Sequence, residues 1–208
     1  MSIIKLNNNG VKNATAFGSI TGLGSMTFIK KLTASSSTTL SFVDGASSVV
    51  LDNTYKEYLF TFKNIHPASD NVKFMFNLST DSGSNYNVTK TSTMFNSLHN
   101  EAGNDQNVVY NDNNDLAQST NNQPLADSIG NDNDQVCSGY LKLFNPSSTT
   151  FVKHYISDFS NYHHGDYNQR YFGGGYGNTT SAVDAVQFRM SSGNIDAGTI
   201  KLYGIKDS

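Results

Sequence analysis

The residues with the most chemistry to offer lie in one run, Tyr162-His163-His164-Gly165-Asp166-Tyr167-Asn168-Gln169-Arg170-Tyr171-Phe172-Gly173-Gly174-Gly175-Tyr176. Flat aromatic faces beside amides, a carboxylate and a guanidinium suit sugar rings. Tyrosine also supplies contact area at little entropic cost. The contact candidates are Tyr162, His164, Asp166, Tyr167, Arg170 and Tyr171. The same composition also describes an aromatic strand and a glycine turn that support a core or a subunit interface. His163 and His164 are adjacent, and neighbours on an extended chain point to opposite sides, so they share a metal only across a turn. Adding His154 makes a three-histidine site conceivable without supporting it.

A second set is oxygen-rich. Asp132 and Asp134 alternate with Asn131 and Asn133, and calcium favours such loops. The downstream glutamate and fixed glycine of an EF-hand are out of register here. A solvated loop of Asx turns is the commoner explanation of such a run. Asp132 and Asp134 are therefore the weak metal candidates, and no cofactor is expected.

Catalysis has little to draw on. Glu57 and Glu101 are the only glutamates. A glycosidase needs two carboxylates a few ångströms apart, and no spacing picks out such a pair. There is no Gly-x-Ser-x-Gly elbow and no glycine-rich phosphate loop with a lysine. Cys137 sits in an alternating run and is expected buried rather than nucleophilic. The expectation is a protein that is not an enzyme.

The elements that must position these residues are strands. The 208-residue chain is 37% hydrophobic and 15% charged, against about 25% charged residues in ordinary domains. Asparagine, serine, threonine and glycine replace the charge. Net charge is -3, which leaves no basic footprint for nucleic acid. No apolar run approaches the ~20 residues of a helical membrane span, and membrane insertion is not expected. One cysteine excludes an internal disulfide. Met1 to Lys5 lack the apolar run of a secretory signal.

From Met26 the hydrophobic period is two. Val72, Phe74, Phe76 and Leu78 share one face, as do Tyr58, Phe60 and Phe62. Further runs cover Val136 to Phe144, Phe151 to Ile156, Tyr167 to Tyr171, Val183 to Met190 and Thr199 to Ile205. Asp44-Gly45, Asn64 to Asn71, Asp81 to Asn85 and Asn145-Pro146 carry turn chemistry. This predicts an all-β domain over 26–208: an antiparallel β-sandwich, jelly-roll-like, with little helix. The last two strands are expected to form a hairpin.

Two segments depart from the pattern. Residues 1–25 form an expected N-terminal extended arm, with Ile3, Ile4 and Leu6 as its apolar cluster. Residues 100–135 hold 16 Asn or Asp. They are expected as a long Asx-rich loop, a polar insert without a core of its own, containing one short strand at Val108-Val109-Tyr110.

Ile3-Ile4-Lys5-Leu6-Asn7-Asn8-Asn9, then Tyr55-Lys56-Glu57-Tyr58-Leu59-Phe60 with Asn64-Ile65-His66-Pro67, and the ending Met190 to Ile205 resemble structural proteins of marine tailed bacteriophages. The resemblance implies a non-enzymatic virion protein, an appendage or a capsid decoration, assembled in the host cytoplasm. Other virion proteins are then its partners, with Ile3, Ile4 and Leu6 docking it to the particle. Virion analogy also implies a homo-oligomer, with a trimer as the first choice. The alternatives are a carbohydrate-binding module of a tail fibre that reads a host surface glycan, and a polysaccharide depolymerase.

Overall fold

The computed structural model describes residues 25–207. The expected arm, with Ile3, Ile4 and Leu6, lies outside the described residues but for its last position. The described chain is all-β and antiparallel. Its twelve strands are β1 (Met26–Thr33), β2 (Leu40–Val43), β3 (Glu57–Pro67), β4 (Val72–Ser79), β5 (Lys90–Asn100), β6 (Gln106–Tyr110), β7 (Gln123–Ile129), β8 (Cys137–Phe144), β9 (Lys153–His163), β10 (Tyr167–Gly177), β11 (Ala185–Met190) and β12 (Ile195–Ile205).

Pairing divides them into two layers. The larger runs β1-β12-β3-β8-β9-β10-β5-β6, and the smaller runs β7-β4-β11-β2. They meet where β7 touches β9 through the Ile129–His163 pair, so the sandwich is nearly closed along that side. Tight turns behave as the sequence predicts: Gly45 (φ 73°) and Asn145 (φ 45°) take the left-handed backbone.

The core between the layers is aromatic. Alternation aims Phe60 and Phe62 of β3 and Phe159 of β9 at Phe74 and Phe76 of β4, Phe188 of β11 and Phe42 of β2, all 4% exposed or less. The Phe188 ring lies 5.0 Å from Phe62, 5.4 Å from Phe60 and 6.0 Å from Phe74, centroid to centroid. Edge-to-face and offset contacts of this kind add to the burial of the ring area itself.

Several expectations need correction. β11 and β12 are not a hairpin: β11 lies between β4 and β2, whereas β12 lies between β1 and β3 in the other layer. β3 runs through the expected loop as far as Pro67. A bulge at Asn64 (φ 51°) shifts its register against β8 between Phe62 and Ile65. The stretch 100–135 is not one long loop. It contains β6, at the expected valines and tyrosine, and also β7, which pairs with β4 and buries Leu125, Ala126 and Ile129 completely.

The interior beneath β5, β9 and β10 is polar. Lys90, Ser92 and Asn96 of β5, Ser157 and Asn161 of β9 and Gln169 of β10 all point inward. The Asx-rich segment after β6 folds beneath them and supplies partners. Asn111 donates to Asn96 (3.1 Å), Gln123 donates to the Asn114 carbonyl (2.9 Å), and Tyr155 donates to Gln123 (3.0 Å). Buried amides are tolerated when each finds such a bond. The segment between β6 and β7 is thus a polar cover over this part of the interior, itself buried only at Asn114.

Candidate functional site

The outer face of the larger sheet is formed by the alternate residues of β8, β9, β10 and β5, and register fixes their rows. One row runs Tyr162–Asn168–His99. The next runs Ser138–Ser160–Arg170–Ser97. The third runs Tyr140–Asp158–Phe172–Phe95. The first two rows, with Tyr140 and Asp158 of the third, floor two adjoining open depressions of about 470 and 600 Å³ that share His99, Ser138, Ser160 and Asn168. Together they make one groove across four strands. Glu101, Asp134 and Tyr167 line its first end, where the β9–β10 turn projects.

Two interactions set its electrostatics. Arg170 grips Asp158 in a fork, Nε to Oδ1 at 3.0 Å and Nη2 to Oδ2 at 2.7 Å, and its guanidinium lies 4.7 Å from the Phe172 ring centroid. The bond to Asp158, then the charge of that carboxylate, raises the Arg170 pKa further. Phe172 stacks in turn on Phe95 at 4.9 Å. At the other end, Tyr162 donates its hydroxyl to Glu101 Oε1 (3.0 Å), and this bond above all raises its pKa to about 12. Tyr167 donates to Asp105 (3.2 Å), with the same direction of shift and the same kind of cause. Both hydroxyls stay protonated at neutral pH and are held by carboxylates, which fixes the ring positions.

The predicted contact residues divide. Tyr162, Tyr167 and Arg170 line the groove. Asp166 sits in the turn (φ 62°), with an oxygen 3.5 Å from the Tyr162 hydroxyl. His164 lies in the same turn and stacks on His163 at 4.3 Å. The chain leaves the extended form there, so the two rings do not diverge as a continuous strand requires. His163 accepts the Gly165 N–H at Nδ1 (2.9 Å), and its pKa is lowered by burial and then by His164. Tyr171 needs correction: it is 2% exposed, faces the core, and donates to Gln169. Burial pushes its hydroxyl pKa well above the usual value.

The metal candidates are also placed. Asp132 and Asp134 lie in the β7–β8 connection, where the Asp132 carbonyl meets His66 Nε2 (3.1 Å). Among the described residues no three His, Cys, Asp or Glu side chains converge on a metal-sized site. Cys137 is buried and free, and burial raises its thiol pKa strongly.

The three consecutive glycines of β10, Gly173 to Gly175, form no turn. The Cβ that an alanine would add at Gly175 falls 2.5 Å from the Thr91 carbonyl and 2.6 Å from the Tyr155 hydroxyl. Only glycine lets Tyr155 lie against β10 there. Gly174 points outward and leaves a third, apolar depression of about 510 Å³ beside Ile156, His154 and Tyr176.

Sequence reasoning missed the β5 side of the groove, Ser97 and His99, as well as Glu101, Asp158, Ser160, Ser138 and Tyr140. The available signal was the outward alternation Thr93, Phe95, Ser97, His99. It was masked because the inward set is polar too.

No protein family, curated protein or solved structure matches this chain.

Proposed function

We propose that the protein is a non-enzymatic recognition and display domain on a virion surface, and that the groove across β8, β9, β10 and β5 takes a host surface glycan. One observation carries the glycan reading. A continuous open groove on the sheet face combines aromatic rings (Tyr162, Tyr167, Tyr140) with polar groups (Asn168, His99, Ser160, Arg170). An extended groove of moderate depth, rather than an enclosed pocket, fits several successive units of a polysaccharide. Aromatic faces supply area, and the polar row supplies orientation.

The virion setting rests on the resemblance of the runs at 3–9, 55–67 and 190–205 to tailed-phage structural proteins. The low-charge surface is in keeping with it. Particles purified to homogeneity and labelled with an antibody to this domain test the setting. Label at the lattice means decoration, label at the tail means an appendage, and absence of label removes the virion reading.

Glycan binding has its own test. A panel of bacterial surface polysaccharides, read by array and then by calorimetry, is expected to give a ligand. Tyr162→Ala and Asn168→Ala are each expected to weaken that ligand about tenfold or more, as central contacts do. Tyr171→Ala is no test of the groove, because its ring faces the core. Silence across the panel, or full binding by both variants, would remove the glycan reading and leave a structural role.

A further inference from the structure

Four strands end the layers among the described residues: β7 abuts β9, and two of the other three are guarded. β1 carries Lys30 and Lys31 and a register shift between Phe28 and Lys30. β2 is only four residues long. Lysines, irregularities and shortness are the ordinary protections of a sheet edge. β6, Gln106-Asn107-Val108-Val109-Tyr110, is one residue longer than β2 and carries no charge, no proline and no bulge. All five residues are exposed, Val108 at 70%, Tyr110 at 55% and Val109 at 39%.

Its free hydrogen-bonding groups can be assigned. The Asn111 N–H reaches the Met94 carbonyl and the Asp105 carbonyl accepts from Asn100, so residues of that parity face β5. Strand alternation then turns the N–H and C=O of Gln106, Val108 and Tyr110 outward. The Val108 N–H is held only by the neighbouring Asn107 side chain (2.8 Å), a bond that a partner carbonyl replaces.

We propose that β6 pairs antiparallel with β6 of a second copy of this chain, with Val109 on the two-fold axis. In that register Val108 of each copy lies opposite Tyr110 of the other, an aromatic–β-branched pair, and both are outward-bonding residues. Asn107 faces Asn111, and the paired residues of β6 carry no carboxylate, so no two like charges meet within the pairing. Self-complementarity of this kind singles out a second copy over an unrelated strand. It also closes at two copies, where virion analogy implies three. Five-residue edges bury far less than the about 1,200 Å² of a stable interface, so the pairing is weak and appears at high protein concentration. An axis normal to the sheet keeps both outer faces on one side. Two-site presentation of the groove follows only if the glycan reading holds; the edge pairing does not depend on it.

The test uses the full chain. Sedimentation is expected to show a monomer–dimer equilibrium that moves toward dimer as concentration rises. Val108→Pro removes only an outward N–H and leaves the β5 ladder intact, so it is expected to be monomeric with an unchanged melting temperature. Val109→Cys is expected to be trapped as a disulfide dimer under mild oxidation far faster than Val108→Cys, because Cα atoms of a non-hydrogen-bonded pair are about 4.5 Å apart. Buried Cys137 stays silent. A monomer at every concentration, open-ended oligomers, undiminished association of Val108→Pro, or faster trapping at Val108 would each overturn the proposal.

Discussion

Phe188→Ala is expected to lower the free energy of unfolding by about 3–5 kcal/mol, the usual cost of emptying a buried aromatic site. Phe188 belongs at the upper end. Its ring is fully buried and lies against Phe42, Phe60, Phe62, Phe74 and Phe76. These come from three strands, β2, β3 and β4, in both layers, so no single backbone shift refills the hole. Much of a domain's total stability, roughly 5–15 kcal/mol, then disappears. Equilibrium urea unfolding checks it; Phe188→Leu, which keeps most of the volume, should recover a large part of the loss. A change under about 1 kcal/mol for Phe188→Ala would mean the aromatic cluster does not join the layers.

The contrast between that core and the rest of the interior explains what was legible in the sequence. β3, β4 and β11 bury apolar faces, so Tyr58-Phe60-Phe62 and Val72-Phe74-Phe76-Leu78 announce themselves by alternation. β5 alternates as strictly, yet its inward residues are Lys90, Ser92, Met94 and Asn96. A buried polar face beside a mixed outer face leaves no hydrophobic period to read. β7 hid for a different reason. Gln123, Pro124, Leu125 and Ala126 are buried in succession, so period two is absent and the proline argues against a strand. The asparagines of residues 100–135 looked like solvent-facing loop chemistry. Asn114 is fully buried instead, donating to Asp127 and accepting from Lys73.

The site was half legible for a related reason. Tyr162 to Tyr176 was recognised as one chemically rich run, but a strand sorts its residues by parity. Asn168 and Arg170 went to the groove, and Gln169 and Tyr171 went to the core. The partners of the first pair, His99, Ser97 and Asp158, come from strands distant in sequence and become neighbours only through register.

Lys90 supplies the second large effect, and its sign is opposite to that of an ordinary paired charge. Its side chain is fully buried, with Nζ 2.5 Å from Asn77 Oδ1 and 2.7 Å from the Val88 carbonyl. No carboxylate forms an ion pair with it among the described residues. Burial alone lowers its pKa from 10.5 to about 7. Below pH 7 both the folded and the unfolded chain hold the proton, and the cost of the buried charge is fully present. Between pH 7 and 10.5 the unfolded chain retains a proton that the folded chain has released, so stability rises with pH. Each unit is worth about 1.4 kcal/mol, and the full window is on the order of 5 kcal/mol. Tyr58, Tyr155, Tyr171 and Cys137 act against this at its alkaline end. Burial raises all four, so the unfolded chain loses their protons first and stability falls as pH climbs through their unfolded values. The wild-type chain is therefore expected to be most stable in mildly alkaline solution, with a rise from pH 6.5 to pH 8.5 in urea midpoints. Lys90→Met, similar in length and uncharged, should lose most of that rise, with Lys153 keeping a share because burial lowers its pKa too, and equal or exceed the wild type at pH 6.5. Asn77 Oδ1 keeps the Leu78 N–H in the variant; the Val88 carbonyl loses the ammonium as its donor, a cost that does not vary with pH and so leaves the slope as the readout. A wild-type chain whose stability is flat or falls over that range, or a methionine variant with the same slope, would mean that the ammonium is solvated in place and that the polar layer beneath β5 is wet.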